Sequence, residues 1–131
     1  MADTGRLILR LALGILILFH GVSKVMAGPA GVMSSVAKAG LPEPVAYLVY
    51  VGEVLAPLLV VIGFWTRPAA IIIAINMLVA VYLVHTPQIF TLSKAGGWAL
   101  ELQGMYLFTA IAIAFLGAGR YSVGGESGRW N

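Results

Sequence analysis

The sequence has no cysteine and few charged side chains. The absence of cysteine excludes disulfides, thiolate metal sites and Cys-x-x-Cys redox chemistry. Charged residues make up 10% of the 131 residues, whereas a soluble domain carries about 25%. So few charges cannot cover a water-facing surface. The apolar surplus, 60% of the chain with a mean hydropathy of +0.97, is therefore expected to face lipid.

Common catalytic motifs are also absent. The sequence has no phosphate-binding loop, HExxH, GxSxG or dinucleotide fingerprint, and its serines Ser23, Ser34 and Ser35 have no evident triad partners. The net charge of +3 comes from Lys and Arg residues spread singly along the chain. Because they form no basic stripe, nucleic acid is not expected as a partner. In a membrane protein such charges record topology instead.

Four apolar segments are long enough to cross a bilayer, which takes about 20 residues of helix. The segments are Leu7–Met26, Val45–Trp65, Pro68–His85 and Trp98–Gly117. Gly and Pro residues punctuate the breaks, and Pro68 is well placed to start the third helix after a tight hairpin. The sequence therefore predicts one all-α domain over residues 1–131, an integral membrane four-helix bundle.

Positive charges predict the orientation of these helices. With a cytoplasmic N-terminus, the inner side holds Arg6, Arg10, Arg67, Arg120 and Arg129, and the outer side holds Lys24, Lys38 and Lys94. The inner excess places both termini in the cytoplasm, with Arg10 reaching the inner headgroups. A cleaved signal peptide is the alternative for the first segment, but Lys24 and the lack of an A-x-A site argue against it. The outer connection Gly31–Ala39 is compatible with a short surface helix or a plain connector.

Ionisable side chains within the spans point to a polar site. Each costs about 2.5–3.5 kcal/mol on insertion scales, so such groups are expected to face the bundle interior. At 1.5 Å per residue, His20 lies about 9 Å and Glu53 about 12 Å below the outer boundary. Lys24 shares a helix face with His20, and His85 and Glu101 lie near the same boundary. Five ionisable groups from four helices are thus predicted to converge in the outer half.

These residues also have purely structural interpretations. Glu53 could pair with Lys24 or His20 and fix helix register, because polar contacts between membrane helices contribute about 0.6 kcal/mol. Tyr50 shares a helix face with Glu53 and could line a pocket for a flat ring, although such residues commonly just pack. Pro57 leaves the carbonyl of Glu53 without its usual donor, which favours a kink there. Asn76 is expected to hydrogen-bond a neighbouring helix rather than a ligand.

Four sequence motifs resemble the DoxX family in their order and spacing. They are Arg10 followed by His20-Gly21-Val22-Ser23-Lys24, then Gly52-Glu53, Gly63-Phe64-Trp65-Thr66-Arg67, and the ending Gly117-Ala118-Gly119-Arg120-Tyr121-Ser122-Val123. The similarity extends over about residues 6–123. One departure is Ala118, where the family pattern leads us to expect proline.

The resemblance implies a four-helix protein of the bacterial inner membrane, associated with quinone-linked oxidoreductases. A quinone headgroup would then occupy the polar site, and a partner oxidoreductase subunit would supply electrons. Glu53 and His20 are the expected catalytic residues, which transfer the protons that accompany quinone reduction. The expected ligand-binding residues are Lys24, Tyr50, His85 and Glu101.

Other functions fit the same residues. The chain could be a non-catalytic membrane anchor or assembly factor for a partner oxidoreductase, or a conduit for protons or small solutes. A haem held by His20 and His85 is a weaker alternative to quinone, because two histidines alone are a weak signal. No metal site is expected. Small-residue patches on lipid-facing surfaces permit homo-oligomers.

Overall fold

All the regular elements that the structure describes are helices, which confirms the all-α prediction. The structure is a computed structural model that describes residues 1–28, 30–38, 40, 42, 44–82, 92, 96–97, 100–125, 128 and 130–131. The elements are α1 (Ala2–Ala27), α2 (Ala30–Lys38), α3 (Pro44–Tyr50), a π-helical turn (Val51–Leu55), α4 (Ala56–Ile62), α5 (Thr66–Ala80) and α6 (Glu101–Leu116). Helix α2 lies in the connection after the first span, for which the sequence left a short helix and a plain connector equally open.

The longer helices contact one another in a ring. Helix α1 packs on α4, α4 on α5, α5 on α6, and α6 returns to α1. Helices α3 and α4 form one continuous rod through the π-helical turn, so this turn also contacts α1 and α5. Helix α2 lies against α3. The ring therefore encloses a core between its four sides.

Small side chains fill much of this core, and large ones lie outside it. Five of its twelve buried residues are alanines. The core consists of Leu13, Ile17, Ala56, Val60, Ala69, Ala70, Ile73, Ala74, Met77, Tyr106, Ala110 and Ile113. By contrast, Phe19, Phe108 and Phe115 are 69%, 65% and 80% exposed. Exposed apolar surface of this extent marks a face that contacts something other than water.

Among the described residues, one helix is long and apolar enough to cross a membrane by itself. This helix is α1, and three further apolar helices, Tyr47–Ile62, Thr66–Ala80 and Leu102–Leu116, are shorter. The rod ends at Ile62 rather than at Trp65, because Gly63 adopts a left-handed conformation (φ 75°) that terminates a helix. Crossing of a bilayer by these three shorter helices stays a prediction.

Arg10 does not reach out to headgroups, and that expectation was wrong. Its side chain is 1% exposed and donates hydrogen bonds to backbone carbonyls of residues 117–125, here called the closing segment. Nη1 lies 3.3 Å from the Ala118 oxygen and 3.1 Å from the Tyr121 oxygen, and Nη2 lies 2.8 Å from the Tyr121 oxygen. Arg10 is buried because the closing segment folds back over this part of α1.

The closing segment is held by the hairpin between α4 and α5. The Val123 amide donates to the Ile62 carbonyl at 2.9 Å, and the Gly124 amide donates to the Gly63 carbonyl at 3.0 Å. These bonds satisfy carbonyls at the end of α4, which have no partner within their own helix. The arginine and the helix end are therefore buried together.

Candidate functional site

An ion pair between α1 and the π-helical turn forms the centre of the site. The Nζ atom of Lys24 lies 2.7 Å from Oε1 of Glu53, with side-chain exposures of 37% and 5%. The same oxygen accepts a hydrogen bond from Nδ2 of Asn76 in α5 at 3.3 Å. One carboxylate oxygen thus joins three helices. The predicted bond from Asn76 to a neighbouring helix is confirmed.

Local backbone geometry brings α1 close to Glu53. The Ala56 amide donates to the carbonyl of Val51, five residues back, which is the π pattern. Pro57 has no amide hydrogen, so the Glu53 carbonyl lacks its usual helical donor. Gly21 of α1 approaches this carbonyl so closely that a Cβ at position 21 would overlap it. The disturbance expected beside Pro57 is therefore a π-helical turn, against which α1 packs.

A cavity of about 350 Å³ opens beside the ion pair. Its described lining residues are Ile17, His20, Lys24, Glu53, Met77, Ala80, Leu102, Gln103 and Tyr106. The rings of His20 and Tyr106 meet edge to face, with centroids 6.0 Å apart and planes at 77°. For scale, an apolar cavity of about 150 Å³ holds benzene. The cavity is therefore large enough for a substituted six-membered ring.

The two oxygens of Glu53 have different surroundings. Oε1 accepts from Lys24 and Asn76, whereas Oε2 is buried and has no hydrogen-bond partner among the described residues. An ionised carboxylate has about four acceptor positions, so this group retains acceptor capacity. The site therefore combines a cation, a partly satisfied carboxylate and an imidazole around a cavity with both polar and apolar walls.

The structure brings three of the predicted site residues together. His20, Lys24 and Glu53 all line the cavity. Tyr50 is half-buried and is not one of the described lining residues, so its role stays a prediction. His85 and the side chain of Glu101 lie outside the described residues.

Two further polar residues of α6 line the cavity, and the predicted set lacked both. Gln103 and Tyr106 lie three positions apart, so they share a helix face. Tyr106 is 9% exposed. The sequence contained one signal for this pair: Gln103 lies two positions after Glu101, and Tyr106 follows Gln103 on the same helix face. In the part of the chain that the structure describes, no three His, Asp or Glu side chains are grouped as metal ligands.

The fold and site define a class: an all-helical protein whose apolar helices enclose a buried ion pair beside a cavity. The DoxX family model matches residues 5–86, more than half of the chain. The chain therefore belongs to the DoxX family, a family of membrane proteins. This match confirms the resemblance in the first three motifs, while the motif in the closing segment lies beyond it.

Two relatives align over most of the chain. A Bacillus subtilis protein described as "Putative oxidoreductase CatD" is 29% identical over 116 residues, which cover 88% of this chain and 81% of the relative. A Haemophilus influenzae protein described as "Uncharacterized protein" is 25% identical over 115 residues, covering 85% of this chain and 81% of the relative. No solved structure matches the chain.

Proposed function

We propose that this chain is the membrane subunit of a quinone-linked oxidoreductase and that the cavity beside Glu53 binds the quinone ring. The observation that carries the proposal is the Lys24–Glu53 pair at 2.7 Å, with Glu53 3% exposed, on the wall of a cavity of about 350 Å³. An ionisable residue in this position within a membrane protein is a functional-site hypothesis by default. The "oxidoreductase" in the description of the Bacillus subtilis relative agrees with it.

The same proposal includes a four-span bundle in the bacterial inner membrane with both termini in the cytoplasm. Alanines inside the ring and large apolar side chains outside it support a lipid-facing exterior. The larger number of positive charges at the predicted inner end, Arg6, Arg10, Arg67, Arg120 and Arg129 against Lys24, Lys38 and Lys94, supports the orientation. The bilayer is the first partner, and a soluble or membrane-bound oxidoreductase subunit is the second.

The chemical roles follow from the contacts. Glu53 exchanges the protons that accompany reduction of the ring, and His20, which lines the same cavity, relays them. The Nζ atom of Lys24 lies 2.7 Å from Glu53, and its positive charge offsets negative charge that develops on a ring oxygen. Tyr50 helps to position the ring. Electrons come from the partner subunit.

Replacement of Glu53 by Gln tests this proposal. Glu53→Gln keeps the size of the side chain but removes the proton-exchanging carboxyl, so quinone-dependent turnover of the assembled complex is expected to be abolished. The matched control is Asp3→Asn, which removes a carboxylate about 30 Å away along α1. Expression level and gel-filtration profile report assembly. Normal turnover in Glu53→Gln would contradict the proposed role of Glu53.

A reduced-minus-oxidised absorption spectrum of gently purified protein tests the ligand itself. A quinone–quinol difference band in the ultraviolet is the expected result. A Soret band with an α-band would contradict it and would favour His20 as a haem ligand. Chemical extraction of the same preparation, followed by mass analysis, identifies the bound quinone.

A non-catalytic anchor or assembly factor is the second candidate function. One observation favours it: Lys24 and Asn76 already supply the Glu53 oxygen Oε1 with two donors, and these contacts join three helices. If the cluster is only structural, Glu53→Gln lowers assembly or partner binding and leaves the ligand content unchanged. The two candidates therefore predict opposite results for the same variant.

A further inference from the structure

We infer that the cavity prefers the reduced, hydroxyl-bearing form of the ring over the oxidised form, because the buried Glu53 carboxylate presents an acceptor oxygen that no described residue satisfies. The inference rests on the proposed function and names the redox form that this site selects. It is carried by the unequal hydrogen bonding of the two oxygens of Glu53 and by the position of that carboxyl group on the cavity wall.

The two oxygens of the Glu53 carboxylate differ in their hydrogen-bond donors. Oε1 of Glu53 accepts from Lys24 at 2.7 Å and from Asn76 at 3.3 Å. Oε2 is buried and accepts from no described residue. A buried acceptor without a donor is costly, and more so when it carries charge. A ligand that brings a hydrogen-bond donor to this oxygen removes that cost.

The Glu53 carboxyl group lies where Oε2 can reach a ligand in the cavity. The carboxyl group belongs to a cavity-lining side chain, and the last torsion of a glutamate side chain has only broad, shallow preferences. Rotation about this torsion moves both oxygens together, and the long, partly exposed Lys24 side chain can follow Oε1 as Oε2 turns toward the cavity. The oxygen can therefore meet a ring bound against His20 and Tyr106.

The reduced and oxidised forms of the ring differ in their hydrogen-bonding groups. A phenolic hydroxyl both donates and accepts hydrogen bonds, whereas a carbonyl oxygen only accepts. The hydroxyl of a reduced ring can donate to Oε2, but the carbonyl of an oxidised ring places two acceptors against each other. Neutral imidazole and phenol groups each offer a donor and an acceptor, so His20 and Tyr106 accommodate either form. Glu53 is therefore the residue that discriminates.

The charge on Lys24 does not reverse this preference. An ammonium group alone would attract the carbonyl oxygen of an oxidised ring. Here Nζ is paired with Glu53 at 2.7 Å, and the Lys24 side chain is 37% exposed while that of Glu53 is 5% exposed. The cation is thus largely compensated and partly solvated. The less satisfied and more deeply buried member of the pair is the acceptor.

Anaerobic equilibrium binding tests the inference. We would titrate the purified full chain in lipid nanodiscs with a short-chain benzoquinone, with its hydroquinone, and with the dimethyl ether of that hydroquinone. The hydroquinone is expected to bind at least tenfold more tightly than the other two, which lack hydroxyl donors. For a two-electron couple, a tenfold preference for the reduced form raises the midpoint potential of the bound ring by about 30 mV.

The Glu53→Gln variant locates the preference. Its amide donates as well as accepts, so the ratio of the two affinities is expected to fall to about one, while Asp3→Asn keeps the wild-type ratio. If Glu53→Gln does not fold, comparison of the hydroquinone with its dimethyl ether in the wild-type protein still tests whether the hydroxyl donors of the ring carry the preference. Equal or tighter binding of the quinone would overturn the inference and leave the proposed function standing. Binding of none of the three rings would overturn the proposed function as well.

Discussion

Among the residues that the structure describes, two charged side chains are almost fully buried, and their hydrogen-bond partners differ in kind. Arg10 is 1% exposed and Glu53 is 3% exposed. All three hydrogen bonds of Arg10 go to backbone carbonyls of the closing segment, whereas those of Glu53 come from the side chains of Lys24 and Asn76. Backbone carbonyls neither titrate nor swing away. The Arg10 contacts are therefore fixed, and the Glu53 contacts can rearrange.

The surroundings of the two charges reinforce this contrast. Next to Arg10, Gly63 is packed so tightly that a Cβ would overlap both the Arg10 guanidinium and the side chain of Ser122. Next to Glu53, a cavity of about 350 Å³ is open. Along α1 the two regions lie about 21 Å apart. The tight packing at Gly63 favours a structural role for Arg10, and the cavity beside Glu53 leaves room for a ligand.

The largest expected effect is that of Arg10→Ala. The substitution removes the Arg10 donors from the buried carbonyl of Ala118 and the partly buried carbonyl of Tyr121, so it is expected to lower the free energy of unfolding by about 3 kcal/mol. Denaturant unfolding in detergent, followed by circular dichroism, measures the loss. The control is Arg6→Ala, because Arg6 pairs with Asp3 at 30% exposure and such a pair contributes about 1 kcal/mol or less. Equal losses in both variants would break the contrast.

A smaller effect is expected at the close approach of α1 to the site. A Cβ at Gly21 would overlap the Glu53 carbonyl and lie 3.0 Å from Cγ2 of Val54. Gly21→Ala is therefore expected to destabilise the protein by about 1–3 kcal/mol through overpacking, and to weaken ring binding because Glu53 moves. Thermal unfolding and ligand titration measure the two effects.

Gly5→Ala is the matched control for this substitution. Gly5 lies in the same helix, and a Cβ there would meet no atom within 4 Å. Alanine is a better helix former than glycine by about 1 kcal/mol, so Gly5→Ala is expected to be neutral or stabilising. If Gly21→Ala behaved in the same way, the close packing of α1 on the π-helical turn would not be what positions Glu53.

Helical rise predicted a substantial part of the site. Counting residues from the span ends placed His20 and Glu53 at similar depths, and the spacing of His20 and Lys24 put them on one face. These three residues line one cavity in the structure. Positions along α1 could be counted reliably because this helix is regular from Ala2 to Ala27.

The prediction was weaker where the backbone departs from an α-helix. Tyr50 was chosen because it lies three positions before Glu53, but a π-helical turn begins at Val51 and alters the angular spacing of the side chains. Tyr106 comes from a different helix, so only packing could associate it with His20. The error at Arg10 also reflects packing of distant segments, because its hydrogen-bond partners lie 108 and 111 residues further along the chain.

The smallest expected effect is that of Arg67→Ala. This variant tests whether arginine–carbonyl hydrogen bonds stabilise the fold by themselves or only when they are buried. Like Arg10, Arg67 donates to backbone carbonyls, with Nη1 3.0 Å from the Ala114 oxygen and 2.9 Å from the Phe115 oxygen at the end of α6. Arg67 is exposed, however, so water can replace it. A cation at a helix end contributes about 0.3–1 kcal/mol, less at high salt, and the loss in Arg67→Ala should shrink as salt is added to the unfolding assay. A loss as large and as salt-independent as that of Arg10→Ala would show that the bonds themselves, rather than their burial, stabilise the fold.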